Sequence, residues 1–470
     1  MPVLKDSALS QQWKRHKALS EAGNSKQYKK ARENHQFHHG NENAYKAIIN
    51  DKGRKRMVTF NRVKPYVDAV VGFMIQLRRK PEYTARIMES ELQQLYSQDK
   101  NSFSDYYRKN ANMDNIETRQ DREMLITGYG AVDTNISYEK NPDGEVVSEN
   151  IKYNEFGWDP QTSEPNMLDA RWVYRFKVYS IEDCLKRFEG TKREDFETID
   201  MEEASNFVYN PTGGSYDQIA EAGTGTEYGS EELAKIYYYQ YWTLEPYYRA
   251  ENPLLQIEDP EVANIVATMM ATMKDTRLEM SNGANKEYVD DVFEFDPLSE
   301  SLVMSEVVKK DMVVLFQKMG IPFETQRYLR KCYYTAIISN NKVLSKFKSP
   351  DQQGFTIKVK TGTLDPENNV WYGLVDSLKE PAKYSNKALT EILYVIAANS
   401  KGGVLYEENA VLDPERFERD YATTKAAIKV ADGAISGAKI QPKAVAALPT
   451  GYEKVYEISI NSLTDVSGIG

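Results

Sequence analysis

A mean hydropathy of −0.63 over 470 residues constrains this chain more than any motif it carries. A large compact globule exposes a small share of its residues and is correspondingly apolar. Apolar residues here make up 41% and charged residues 28%, enough to build a core and to exclude wholesale disorder. An elongated or assembled protomer is therefore expected, with about three domains at roughly 150 residues each. No apolar run approaches the ~20 residues of a membrane span, and the N-terminal MPVLKDSALSQQWKRHK has no signal-peptide core.

Side-chain chemistry narrows the function by exclusion. All four histidines (His16, His35, His38, His39) lie in the first 40 residues, so the main body has none for a Ser-His-Asp triad, a Cys-His pair or a His-ligated metal. His35-Gln-Phe-His38-His39 is a metal candidate by pattern, but its polar flanks and lack of a nearby cysteine favour a solvated segment. Cys184 and Cys332 are too far apart in sequence to suggest a disulfide framework or a zinc cluster, which fits assembly in a reducing cytoplasm. Charge is uneven. Residues 1–80 hold 18 Lys/Arg against 6 Asp/Glu, whereas the remainder holds 42 against 64. A basic arm on an acidic body points to nucleic acid or an acidic partner for the first segment.

Residues 1–60 are polar and lysine-rich, with helical but weakly amphipathic composition. From Asn61, Val63, Val67, Val70, Val71, Met74, Ile75 and Leu77 fall at near-helical spacing, with Pro65 in a first turn and Pro81 ending the element. Residues 90–126 read as one long helical stretch. Ala131–Tyr138 then alternates, Asn141-Pro142-Asp143-Gly144 supplies a turn, and 146–153 returns. Strands continue at 156–160 and 170–179, followed by a short helix at 181–188. Residues 210–231 are a Gly/Ser/Thr-rich stretch that misses the G-x-G-x-x-G spacing, so a surface loop is expected there. Residues 235–244 (KIYYYQYWTL) read as an aromatic strand.

A first long helix is expected from Asp296 as N-cap and Pro297 to Met319, stopped by Gly320 and Pro322. Short strands follow at 328–338, 342–347 and 354–361, the first two joined at Ser339-Asn340-Asn341. A second long helix covers about 373–398, with a kink or fresh start at Pro381. A helix from Asp413-Pro414-Glu415 to about Val430, a Gly/Ala/Pro loop over 431–450 and a helix over 451–466 complete the chain.

Two clusters carry charge that chemistry could use. Asp290, Asp291, Glu294 and Asp296 could hold Mg2+, although acids at a helix start are equally explained by the helix dipole. Lys379, Lys383 and Lys387, spaced i, i+4, i+8, line one face of the second long helix. In a monomer such a stripe is a solvated face. Repeated around a pore, it would offer point charges to phosphates without reading bases.

The order of motifs resembles a known family. NRVKPYVDAVVGFMIQLRRKP, ITGYGAVDTNISY, FGWDP and DARWVYR resemble the N-terminal half of P22-like bacteriophage portal proteins. RKCYYTAIISNNKVLSKFKSP, then WYGLVDSLKEPAKYSNKALTEILYVIA, are similar to that family's clip and the stem helix leaving it; EISINSLTDVSGI resembles the segment before its crown. The resemblance implies an α+β portal-type protomer assembled as a ring, typically a dodecamer. Its parts would be a basic arm at 1–60, a mixed α/β wing at 61–295, stem helices at 296–319 and 373–398, a small α/β clip at 320–372, and a tunnel loop, wing return and crown start at 399–470. It also implies a non-enzymatic structural protein at one capsid vertex of the virion, needing no cofactor. Double-stranded DNA would be packaged through the ring by the terminase motor and later ejected.

The partners so implied are further copies of the chain, sequence-independent duplex DNA, the large terminase subunit, the major capsid and scaffolding proteins, and a tail or head-completion adaptor. No membrane is among them. Lys379, Lys383, Lys387, Lys439 and Lys443 are the candidate channel residues, and Lys342, Lys346 and Lys348 the candidate docking residues in the clip. Family members usually continue into a crown past the segment matching Asp465–Ile469, so a shortened chain or a reduced crown is expected. The alternatives are a metal-dependent nuclease using the 290–296 carboxylates and a non-portal head-tail adaptor, the latter disfavoured by chain length.

Overall fold

The computed structural model describes residues 6–40, 59–85, 91–139, 141–199, 233–251, 268, 294–296, 301–318, 323–400, 404–417, 430–437, 439–442 and 450–468. The principal helices are α1 (Asp6–Gly23), α2 (Ser25–His39), α3 (Val63–Leu77), α4 (Glu91–Asn110), α5 (Met113–Thr127), α6 (Ile181–Arg187), α7 (Glu306–Lys318), α8 (Leu374–Ser400) and α9 (Thr450–Ser467). The strands are β1 (Tyr129–Ser137), β2 (Glu145–Ile151), β3 (Phe156–Trp158), β4 (Trp172–Ser180), β5 (Glu197–Ile199), β6 (Leu233–Glu251), β7 (Glu294–Asp296), β8 (Ser301–Ser305), β9 (Thr325–Ser339), β10 (Lys342–Lys348), β11 (Ile357–Thr361), β12 (Thr363–Asp365), β13 (Val370–Tyr372), β14 (Val404–Tyr406) and β15 (Ile440–Pro442). The fold is α+β, as expected, and the pairings that build its large sheet and its hairpins are antiparallel. The chain divides into one unit of Met1–Tyr28, Glu82–Gln120 and Gly130–Val370 and another of Lys29–Pro81, Asp121–Tyr129 and Trp371–Gly470.

The first unit is built on β6. One edge of this strand pairs with β4 (Trp172↔Tyr241 to Ser180↔Leu233) and β8, the other with β9 (Tyr237↔Ile338 to Ala250↔Thr325) and β5. Alternation puts Tyr237, Tyr239 and Tyr241 on one face, where they pack with Trp172, Tyr174, Tyr334 and Ala336. The β9–β10 hairpin closes through Asn340 and Asn341, both at positive φ, a backbone that asparagine tolerates and a two-residue hairpin turn demands. A second sheet in this unit has the order β11-β1-β2, and its β1–β2 hairpin runs from Ala131↔Ile151 to Ser137↔Glu145, in line with the alternation read from sequence.

Helix α1 covers the aromatic face. Leu9, Trp13 and Ser20 are fully buried, and Trp13 packs edge-on to Tyr174 at 5.1 Å between ring centroids. His16 stacks on Trp172 at 4.6 Å and meets the Tyr239 hydroxyl at 2.7 Å. This helix is the first described part of the residues expected as a basic arm. Leu9, Trp13, His16 and Ser20 form an i, i+4, i+7, i+11 stripe whose two large apolar residues suffice to bind a ready-made aromatic sheet.

Two expectations change. The stretch 90–126 is two helices, broken where Asn112 takes positive φ. The helix expected from Asp296 starts at Glu306, because Glu294–Asp296 and Ser301–Ser305 pair as strands and β8 continues onto β6, burying Leu302 and Met304. Helix α7 then buries Val308, Met312 and Phe316 against these residues. Strand pairing distributes residues 325–372, within the range expected as a clip, over several sheets. Strands β9 and β10 belong to the large sheet, and β11 joins β1. The 15-residue β9 and 19-residue β6 hydrogen-bond along most of their length.

The second unit packs Val63, Val67 and Val71 of α3 with Phe37, Ile126, Val375, Leu378, Ala382 and Leu463. The valines are spaced i, i+4, i+8, the stripe read from sequence. Gly128, at φ +92°, and Gly373 lie where backbones cross: a side chain on either would strike a carbonyl, that of Trp371 or of Leu125. Pro381 lies inside the single helix α8, so the fresh start considered from sequence does not occur. The two helices expected to form a stem, α7 and α8, fall in different units. Asp413 does cap a helix, accepting from the Arg416 amide at 3.1 Å, and α9 covers the C-terminal helix expected at 451–466.

Candidate functional site

The lysine stripe lies on α8 as its spacing requires, but two of its members are held within the protomer. Lys379 is buried, with Nζ 3.2 Å from Glu33 and 3.6 Å from Asp376. Asp376 also pairs with Lys30 at 3.0 Å and accepts from Asn34 Nδ2 at 3.1 Å and from the Gly373 amide at 2.9 Å. Lys383 donates to Glu380 at 2.9 Å and lies 5.2 Å from the centre of the Phe37 ring. The sequence placed these lysines on one face. It did not show that α2 lies against that face, which supplies Glu33 and Phe37 and removes two of the charges from the surface. Lys387 is half-buried and Lys439 is exposed; Lys443 lies outside the described residues.

The candidate docking lysines sit on β10, an edge of the large sheet. Lys342 pairs with Asp195 at 2.6 Å, Lys346 with Asp6 at 2.9 Å, and Lys348 donates to the Tyr247 hydroxyl at 3.2 Å. Exposed ion pairs of this kind contribute about 0–1 kcal/mol each and exchange partners readily.

Among the described residues, no group of three His, Cys, Asp or Glu side chains is arranged to hold a metal ion. Glu294 and Asp296 lie on β7, and Asp290 and Asp291 are outside the described residues, as is the loop at 210–231. The three histidines of α2 lie side by side without forming such a group, His38 and His39 being 5.2 Å apart between ring centres. His35 meets Glu123 at 2.8 Å and stacks on His39 at 6.0 Å, while neither ring nitrogen of buried His38 meets a hydrogen-bond partner among the described residues. Burial pushes the His38 pKa down to about 4.

A buried polar network on β4 was not among the sequence expectations. Arg175 donates to Asp133 at 2.8 Å and to Glu149 at 3.0 Å, and Asp133 accepts from Thr356 at 2.8 Å. Thr356 in turn donates its amide to Gln240 at 3.0 Å. These bonds tie the β11-β1-β2 sheet to β4 and β6, and Arg175 and Glu149 line an open cleft of about 450 Å³ with Tyr138, Glu139, Arg187 and Tyr238. The signal was an arginine in the middle of the apolar run WVYRFKV, which needs a carboxylate partner once the strand is buried.

Among the described residues, the geometry is that of a sheet-and-helix protomer in which several of the lysines singled out above are held by partners within the protomer. The class to which such a protomer belongs is the phage head-to-tail connector, because the Phage P22-like portal protein family model matches residues 13–470, nearly the whole sequence. The chain belongs to the P22-like portal protein family. That family is structural and is placed at a capsid vertex of the virion. No curated protein matches the chain. No described helix is long and apolar enough to cross a membrane.

Proposed function

We propose that the protein assembles with copies of itself into a ring, typically of about a dozen subunits, at one capsid vertex. Duplex DNA enters through the ring under the terminase motor and leaves through it at ejection; terminase, and later a tail or head-completion protein, dock on the ring. The protein has no catalytic activity of its own in this reading, and coat and scaffolding proteins surround it during assembly. The observation that carries the proposal is the family match over residues 13–470. The hydrophilic composition supports it, since a ring protomer exposes channel, outer wall and subunit faces. So does the acidic body, with 42 Lys/Arg against 64 Asp/Glu beyond residue 80: a wall that repels phosphates lets DNA slide, whereas a strongly basic lining would hold it.

Native mass spectrometry of the full chain tests the proposal. Rings of about a dozen subunits are expected. A protein that stays monomeric or dimeric at every concentration, alone and with its scaffolding protein, would overturn it.

A further inference from the structure

Helix α4 is held to its own protomer through a few polar groups: Asn101 exchanges two hydrogen bonds with the Tyr83 backbone (2.8 and 2.9 Å), Tyr107 bonds to Ser148, and Arg108 pairs with Glu117 at 2.8 Å and Asp114 at 3.0 Å. Its apolar side faces out. Leu95, Tyr96, Phe103 and Tyr106 are between 56% and 66% exposed. At about 100° per residue these four, with exposed Asp99 among them, share an arc of roughly 100°. A surface helix normally turns such an arc to the core. An outward aromatic stripe marks a contact, and Tyr and Phe are enriched at interface centres.

A second outward patch has the opposite charge. On the face of the large sheet that carries Trp242, the register sets Leu244 opposite Lys331, Pro246 opposite Leu329, and Tyr248 opposite Arg327. Leu244 and Leu329 are 51% and 58% exposed, and Lys331 Nζ lies 4.5 Å from the Trp242 ring centre. The patch is thus apolar with cations, Lys331 and Arg327 on β9 and Lys309 of α7 at 3.9 Å from the Tyr248 ring centre, and the α4 stripe is apolar with an acid at its middle.

We propose that the α4 stripe of one copy docks on the Leu244–Leu329 patch of the next, with Asp99 against Lys331 and Arg327. This rests on the ring reading above. A closed ring needs head-to-tail contacts, in which two unlike patches of each protomer meet. These two patches are unlike and complementary, whereas two α4 stripes face to face would set Asp99 against Asp99. They form the centre of a contact that must reach about 800 Å² per partner to be stable.

The test is native mass spectrometry of the full chain, with circular dichroism as the check on folding. Phe103→Asp combined with Tyr106→Asp is expected to leave the spectrum unchanged and to weaken association by at least about tenfold, the loss typical of central interface residues. Asp99→Arg and Lys331→Glu should each weaken the ring, and their combination should restore it. Rings from the Phe103/Tyr106 variant at wild-type concentrations would overturn the role of α4 while leaving the portal reading intact. Loss of the ring in both charge variants without rescue in the pair would overturn the assigned acceptor patch. A wild-type chain that forms no ring would overturn both this contact and the portal reading.

Discussion

Asp376 caps the start of α8 and at the same time neutralises Lys30 and Lys379, so one carboxylate closes a helix end and holds two ammonium groups. Asp376→Ala leaves those cations in a largely buried setting and is expected to cost about 3–5 kcal/mol, measured by urea unfolding. Asp376→Asn should keep the cap and still lose the ion pairs. Histidine supplies a second expectation. Burial pushes His16 and His38 down to about 4, so the folded protein keeps them neutral while the unfolded chain protonates them below about 6.5. Their contribution is full above pH 6.5 and is lost as pH falls from there towards 4. Thermal melts across that window should show a falling Tm, with a shallower slope in His16→Gln. The spacing of Lys379, Lys383 and Lys387 was legible in the sequence; their neutralisation was not, because Glu33 and Phe37 come from an element more than 300 residues away.

At the scale of elements, sequence and structure agree wherever the local signal also decides the outcome. The Asn141–Gly144 turn, the Asn340-Asn341 turn and the valine stripe of α3 all form as their sequence dictates. Asn341→Val places a β-branched residue at positive φ and should cost about 1–2 kcal/mol, with Asn341→Gly near neutral, both measured by urea unfolding. The two part company where a distant surface decides. Helix α1 is weakly amphipathic, yet Trp13 enters a pocket of tyrosines on β4 and β6. Trp13→Ala should therefore destabilise the first unit by about 3–5 kcal/mol and make residues 6–23 accessible to limited proteolysis, as no free arm would. Residues 301–305 fall inside the helix expected from Asp296 to Met319, but the edge of β6 claims them as a strand.

For the whole molecule, the expected DNA contact is weak, independent of sequence and sensitive to salt. In the assembled ring, Lys387→Ala with Lys439→Ala should flatten the salt dependence of duplex binding in fluorescence anisotropy titrations, by about 0.9 for each phosphate that is no longer neutralised. Lys379→Met should change stability and leave that slope alone, because the side chain is already paired inside the protomer. The amino-acid sequence by itself determined the α+β class, most hairpins and their turns, the absence of histidine chemistry from the main body, and an order of motifs specific enough to indicate the family. Each of these rests on neighbours within a few residues or on composition. Tertiary structure alone decided that the N-terminal segment caps a sheet, that β9 and β10 belong to that same sheet, that two lysines of the α8 stripe are neutralised, and that the apolar side of α4 faces outward. Burial of a face depends on what lies across from it, and that partner is set by long-range pairing which periodicity does not encode.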